Sequence, residues 1–434
     1  MAELETLAAP VRAWLGRAWD YMGGLLPEAG TAPPVGPAAA RKLLVKPALA
    51  GLAASLAISL GAAQPSSPFA AWKKPGAWFF GTSSASPPGG PLLALVAVYG
   101  GMLVLGKTWY GLTRTLAARP GVPLKGVAWV MALWVLPILV APPLFSRDLY
   151  SYAAQGEMVS HHISPYEYGP SVIGANAYSD LVDPLWGNAA APYGPLFLGA
   201  AGVVTRLTAH DELATVVGMR LLAVLGVALL AVSVPKLARR FGRDPALAFT
   251  LAVLNPITLL HLVGGGHNDA LMVGLLVAGL TLAKLDRPVL GIVACSLAAA
   301  VKVPALLGVV YIGWEWLGPG VEWRQRLRPL LTAGLVSLAV LAGLARVTGL
   351  GWGWLLALGT PGTVRSLLAP ATAIGVGLGN LAHLVGVGPS PSTYLTLARG
   401  AGLAVAAALA AGLLWASERI GSTRAIGLSL LGFV

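Results

Sequence analysis

Runs of about 20 apolar residues recur from Leu43 to the end of the chain, and they constrain everything else in it. At a rise of ~1.5 Å per residue, each run is long enough to cross a ~30 Å hydrocarbon core as a helix. No stretch alternates apolar and polar residues as a membrane strand must, which argues against a barrel. Composition agrees: 56% of residues are hydrophobic and 11% are charged, against about 25% charged in an average soluble domain. The chain reads as an all-α polytopic membrane protein.

The net charge of +12 does not point to nucleic acid. Lys and Arg sit in short connections between apolar runs, where the positive-inside bias puts them. The one cysteine, Cys295, lies inside an apolar run, so neither an intramolecular disulfide nor a cysteine metal site is expected. The first residues lack the basic start and early apolar core of a signal peptide. Residues 1–42 read as a cytoplasmic segment and linker, with Pro, Ala and Gly concentrated over 28–40. Residues 43–434 read as one multi-helix transmembrane domain.

Candidate spans cover 43–63, 91–113, 126–145, 213–234, 246–263, 268–285, 329–348 and 393–416. Basic connections around Arg114, Lys236 to Arg243, Arg324 to Arg328 and Arg419 are assigned to the cytoplasm. Segment 147–192 is opposite in character, with one Arg against two Glu and three Asp, and is assigned to the outside. Alternation of sides then requires 193–209 and 370–387 not to cross fully. It also requires 288–318 to be a hairpin of two shorter helices turning at Lys302–Pro304, where proline disfavours a continuous helix. The last apolar run reads as an incomplete helix at Val434.

This topology gathers four polar clusters on one side: 147–192, Gly264–Asp269, Lys302, and the loop with Thr360, Thr363 and Arg365. In "DLYSYAAQG", Asp148, Tyr152 and Gln155 recur at helical spacing and share a face. Tyr150, Tyr152, Tyr166 and Tyr168 offer flat surfaces and hydroxyls, and Trp186 and Tyr193 are candidate sugar-stacking groups. The alternative for any one aromatic is the interfacial belt. Glu157 and Glu167 are candidate hydroxyl binders. His161 and His162 are adjacent and point apart on a helix, and no partner at ligand spacing is read beside them. No metal site or cofactor is expected. In "GGGHND", Asn268 or Asp269 could simply cap the next helix, but a cap does not account for His267, Asn268 and Asp269 together at a membrane surface. Lys302 is the only charged residue between Arg287 and Glu315. It reads either as pairing with an acid or as binding an anion.

The motifs "RDLYSYAAQG", "ISPYEYGP", "APYGPLF", "GGGHNDALM" and "TPGTVRSLLAPATAIG", in this order from about residue 90 onward, resemble a known family. The chain is similar to the actinobacterial polyprenol-phosphate-mannose-dependent α-(1→6)-mannosyltransferases of the GT-C glycosyltransferase superfamily. The resemblance implies a GT-C-like bundle of about 11–13 membrane helices with a large first extracytoplasmic loop, here 146–192. It implies a catalytic Asp near the end of a span, the position held by Asp148. It also implies a polyprenyl-phosphate-linked mannose donor, a mannan or glycolipid acceptor, and a place in the plasma membrane.

Transfer from a β-linked donor to an α-linked product needs one inversion and one base for the acceptor hydroxyl. Asp148 is the candidate. Phosphate leaves readily and gains from nearby positive charge, for which Lys302 and Arg365 come first and Arg147 and His267 second. Asn268 and Asp269 are candidates for holding sugar hydroxyls or the partners of Asp148. Two rivals stand beside this reading: a flippase or transporter of lipid-linked sugar, and a non-catalytic polyprenyl-phosphate-binding subunit of cell-wall assembly.

Overall fold

A computed structural model describes residues 35–64, 67–69, 78, 90–363, 367–386 and 388–432. The described residues are mostly helical and contain no strand. Among them, Pro37–Ala63, Gly90–Ala118, Glu212–Arg240, Trp323–Thr348 and Pro391–Trp415 are long and apolar enough to cross a membrane. The chain is an all-α, multi-pass membrane protein. It folds as two compact units, one of Met1–Ser146 with Val234–Gly265 and the other of Arg147–Ser233 with Gly266–Val434.

In the first unit, α1 (Pro37–Ala63) packs on α2 (Gly90–Ala118) and α3 (Leu124–Leu139). Trp134 of α3 is fully buried, and its indole N–H donates to the carbonyls of Pro47 and Ala48 at 3.3 Å each. The expected span 126–145 ends early, because α3 stops at Leu139 before the Pro142-Pro143 pair. The expected span 246–263 is broken in the middle. Helix α7 (Pro245–Ala252) starts on an Asp244 cap, whose Oδ1 accepts from the Leu247 N–H at 2.7 Å. The break follows at Asn255-Pro256. Pro256 has no N–H to continue a helix, and Asn255 Oδ1 accepts from the Ile257 N–H at 2.8 Å. A single wide turn, Thr258–Gly264, resumes beyond it.

In the second unit, α4 (Asp148–Ser160) packs on α5 (Pro195–Leu207). At 13 residues, α5 spans only ~20 Å and falls short of a bilayer core, as charge alternation required. Helix α12 (Pro370–Leu384), with 15 residues, is also short. Between them in sequence lie α6 (Glu212–Arg240), α8 (Asp269–Lys284), α9 (Pro288–Ala299), α10 (Leu306–Glu315) and α11 (Trp323–Thr348).

The run 288–318 is a hairpin broken at Lys302–Pro304, as expected. Two ion pairs show how it lies against α8. Lys302, in the break, pairs with Asp269 at the start of α8, at 2.6 Å. Glu315, at the end of α10, pairs with Lys284 at the end of α8, at 2.9 Å. The hairpin therefore runs along α8 for its whole length. Backbones meet here: a Cβ on Gly274 would lie 2.2 Å from the Gly226 carbonyl oxygen of α6, and one on Gly279 would lie 2.7 Å from that of Gly291 in α9. Small residues at such crossings are how membrane helices pack closely.

Candidate functional site

Asp148 is the first residue of α4. Its Oδ2 lies 2.9 Å from His267 Nδ1 and accepts from the Tyr152 hydroxyl at 3.3 Å. Tyr152 is one helical turn on, so the shared face read from the spacing is real. His267 arrives because Gly266 turns the chain with φ +64, a conformation that costs glycine little. Space is equally tight there, since a Cβ on Gly266 would lie 2.5 Å from the Leu149 side chain. A carboxylate only accepts hydrogen bonds, so Nδ1 of His267 carries a proton in this contact.

Tyr193 links this group to a second carboxylate. Its ring meets that of Tyr152 edge-on at 5.4 Å, and Phe197 closes the cluster at 4.8 Å from Tyr152 and 5.6 Å from Tyr193. Lys302 Nζ stands 5.6 Å from the centre of the Tyr193 ring, within cation–π range, while paired with Asp269. The backbone sets this geometry. The Gly194 N–H donates to the Val301 carbonyl at 3.0 Å, and the Leu196 N–H donates to that of Ala300 at 3.1 Å. "APYGPLF" thus docks onto the Lys302 break and carries Tyr193 with it. Burial pushes the Tyr152 and Tyr193 hydroxyls well above the ordinary tyrosine range, and the charges of Asp148 and Asp269 push the same way.

Asn268 is 1% exposed, and neither its amide nitrogen nor its amide oxygen has a hydrogen-bond partner. It precedes α8 but makes no side-chain cap bond, so capping does not account for it. A buried amide left unmatched costs about 1–3 kcal/mol, which a bound water or a ligand hydroxyl would recover. Gln155 Oε1 and the hydroxyls of Tyr150 and Tyr166 are also buried without hydrogen-bond partners. Burial raises the Tyr150 and Tyr166 hydroxyls too, for Tyr150 against the opposing charge of Arg220.

Other expected residues lie apart from this group or outside it. Glu167 lines a separate hollow of about 650 Å³ with His162, Arg206 and Arg346. Trp186 is half-buried in the 179–189 turns. Arg147 precedes α4, and its carbonyl accepts from the N–H groups of Tyr150 and Ser151. Arg365 lies outside the described residues.

Two features escaped the sequence reading. Arg220 is 1% exposed about two turns into α6, with Tyr150 in its field. It was legible as the lone charge between Glu212 and Lys236. The second corrects an expectation: His161 does have partners at ligand spacing. Glu157 is one turn before it on α4, and His210 comes from the turn ahead of α6.

The family model described as alpha-(1->6)-mannopyranosyltransferase, N-terminal domain, matches residues 48–318, more than half of the chain. The chain belongs to this family. The matched stretch contains Asp148, Tyr152, Tyr193, His267, Asp269 and Lys302. Among relatives, alpha-(1->6)-mannopyranosyltransferase A of Mycobacterium tuberculosis is 37% identical over 322 residues, covering 71% of this chain and 60% of the relative. A probable alpha-(1->6)-mannopyranosyltransferase of Mycolicibacterium smegmatis is 34% identical, covering 67% and 58%. Alpha-(1->6)-mannopyranosyltransferase B of Corynebacterium glutamicum is 33% identical, covering 65% and 50%. The chain thus spans between half and three fifths of the length of these family members. No solved structure matches it.

Proposed function

We propose that the chain is a membrane mannosyltransferase that uses a polyprenyl-phosphate-linked mannose donor and a mannan or glycolipid acceptor. The observation that carries this reading is the paired arrangement of carboxylates around one tyrosine cluster. Asp148 is held by His267 and Tyr152, and Asp269 is tied to Lys302 beside Tyr193. Family membership supports the choice of sugar and linkage.

In the proposed reaction the acceptor hydroxyl oxygen attacks the anomeric carbon of the donor. The bond from that carbon to the phosphate oxygen breaks, and polyprenyl phosphate leaves with the electron pair. The hydroxyl proton passes to the Asp148 carboxylate, which acts as general base. One displacement inverts a β donor to an α-(1→6) product. His267 and Tyr152 hold Oδ2 and so aim the carboxylate. Lys302 has three N–H donors, and Asp269 takes one, which leaves two for the departing phosphate. Asn268 and Gln155, buried and unmatched, are the residues we assign to sugar hydroxyls. We assign this chemistry to the extracytoplasmic side of the plasma membrane, a reading supported by the contrast between segment 147–192, poor in Lys and Arg, and the basic connections elsewhere.

The test uses purified protein with radiolabelled polyprenyl-phosphate mannose and a short α-(1→6)-mannan. Label should become covalently attached to the acceptor, and Asp148→Asn should lower the rate ~10²–10⁴-fold while leaving folded protein. Wild-type turnover in that variant removes Asp148 from its role. Lipid-linked sugar crossing vesicles with no new glycosidic bond supports a transporter instead. Donor binding with neither outcome supports a non-catalytic subunit.

A further inference from the structure

Three side chains that the proposed reaction does not use meet at the far end of α4. Glu157 Oε1 lies 3.0 Å from His161 Nε2, and Glu157 Oε2 lies 2.7 Å from His210 Nδ1. The two imidazole rings are 5.6 Å apart. One ligand atom from each of the three residues lies within 4.8 Å of the other two. Two are fixed by helical spacing, and the third is delivered by an unusual turn. Ala209 and His210 both hold positive φ, 50° and 60°, although neither is glycine. The short connection from α5 to α6 is bent into a conformation disfavoured by a Cβ, and that bend brings His210 to Glu157.

The donor set selects the ligand. Two imidazoles and one carboxylate are borderline donors that suit first-row transition ions, zinc above all. Calcium and magnesium would want more oxygens. A tetrahedral zinc with bonds of about 2.1 Å sets its ligand atoms about 3.4 Å apart. The Glu157 contacts are already shorter than this. The Glu157 contacts must open by about 0.4–0.7 Å to admit the ion and the two imidazoles must draw together; the imidazole side chains are 58% and 43% exposed, with room to turn.

We propose that Glu157, His161 and His210 bind one divalent transition-metal ion, zinc being the expected occupant, with water in the fourth position. Nine residues of helix separate Glu157 from Asp148, about 14 Å along the axis. The ion is therefore too distant to touch a reacting sugar. It acts as a clasp that fastens the end of the Asp148 helix to the turn before α6.

The experiment reads metal and not transfer, so its outcome is independent of the reaction proposed above. Full-length protein in detergent, purified on a tag free of histidine, is stripped with EDTA. It is then titrated with zinc chloride against a chromogenic chelator. Wild type should take up one equivalent at micromolar free zinc and gain thermal stability on doing so. Glu157→Gln and His210→Ala should each weaken binding at least ~10-fold and lose the Tm rise. His162→Ala, beside the group but not in it, should match wild type. Glu157→Gln is near-isosteric and carries the test if His210→Ala aggregates. Failure of wild type to bind zinc, wild-type affinity in Glu157→Gln, or equal loss in His162→Ala overturns the site.

Discussion

Gly194 and Ala300 touch through their backbones: a Cβ on Gly194 would lie 2.3 Å from the Ala300 carbonyl oxygen. The obstacle is main chain and cannot swing away. Gly194→Ala should therefore cost about 1–3 kcal/mol, seen as a lower Tm in detergent. It should also displace Tyr193 from Lys302 and lower transfer by more than the stability loss explains. Unchanged transfer in a destabilised protein would mean that the docking of "APYGPLF" serves only the fold.

Asn268→Leu is expected to separate stability from activity. Leu matches the branched shape of Asn, though it is bulkier, and removes two unmatched polar atoms, so Tm should stay level or rise. Donor or acceptor affinity should fall, because the amide is kept for sugar hydroxyls. A variant with raised Tm and full affinity for both substrates would count against that role.

Lys302→Ala should weaken donor binding more than acceptor binding, measured as separate KM values. Against Asp269→Ala in a double-mutant cycle, the coupling in substrate-free stability should be small, about 0.5–1 kcal/mol, because both partners are partly exposed. An unchanged donor KM would leave Lys302 as a purely structural partner of Asp269.

Alkaline stability should report the tyrosine cluster. Tyr152 and Tyr193 hold their protons more tightly when folded than at the ordinary value of 10.0. Below that value both states keep the proton and the contribution to stability is complete. Above it the unfolded chain loses protons that the folded chain retains, so stability falls with rising pH. Tm measured between pH ~9 and ~11 should drop, and Tyr193→Phe should flatten the drop. An identical slope in the variant would show that other groups control it.

Much of this arrangement was written locally. Apolar run lengths and the alternation of basic and acidic connections marked α5 and α12 as short, and proline marked the hairpin break at Lys302–Pro304. The spacing of Asp148 and Tyr152 announced a shared helix face. Other features depended on chain segments that meet only after folding. Nothing near Tyr193 in sequence tells that Gly194 will lie on Ala300, and nothing near His161 names His210. Glu157 is legible as its helical neighbour, one turn before it. The broken span at Asn255-Pro256 shows the limit of hydropathy, which sums apolar residues across a proline that the backbone cannot ignore.

The hairpin alongside α8 has a topographic consequence. Lys284 and Glu315 clip the two ends together, so the chain leaves the hairpin at the level where it went in. Epitopes inserted at Arg287 and at Gly318 would report the same compartment, although 30 apolar-rich residues separate them. The segment leaves the parity of crossings unchanged. Its contribution is to deliver one ammonium group, that of Lys302, to Asp269 and bring the chain back.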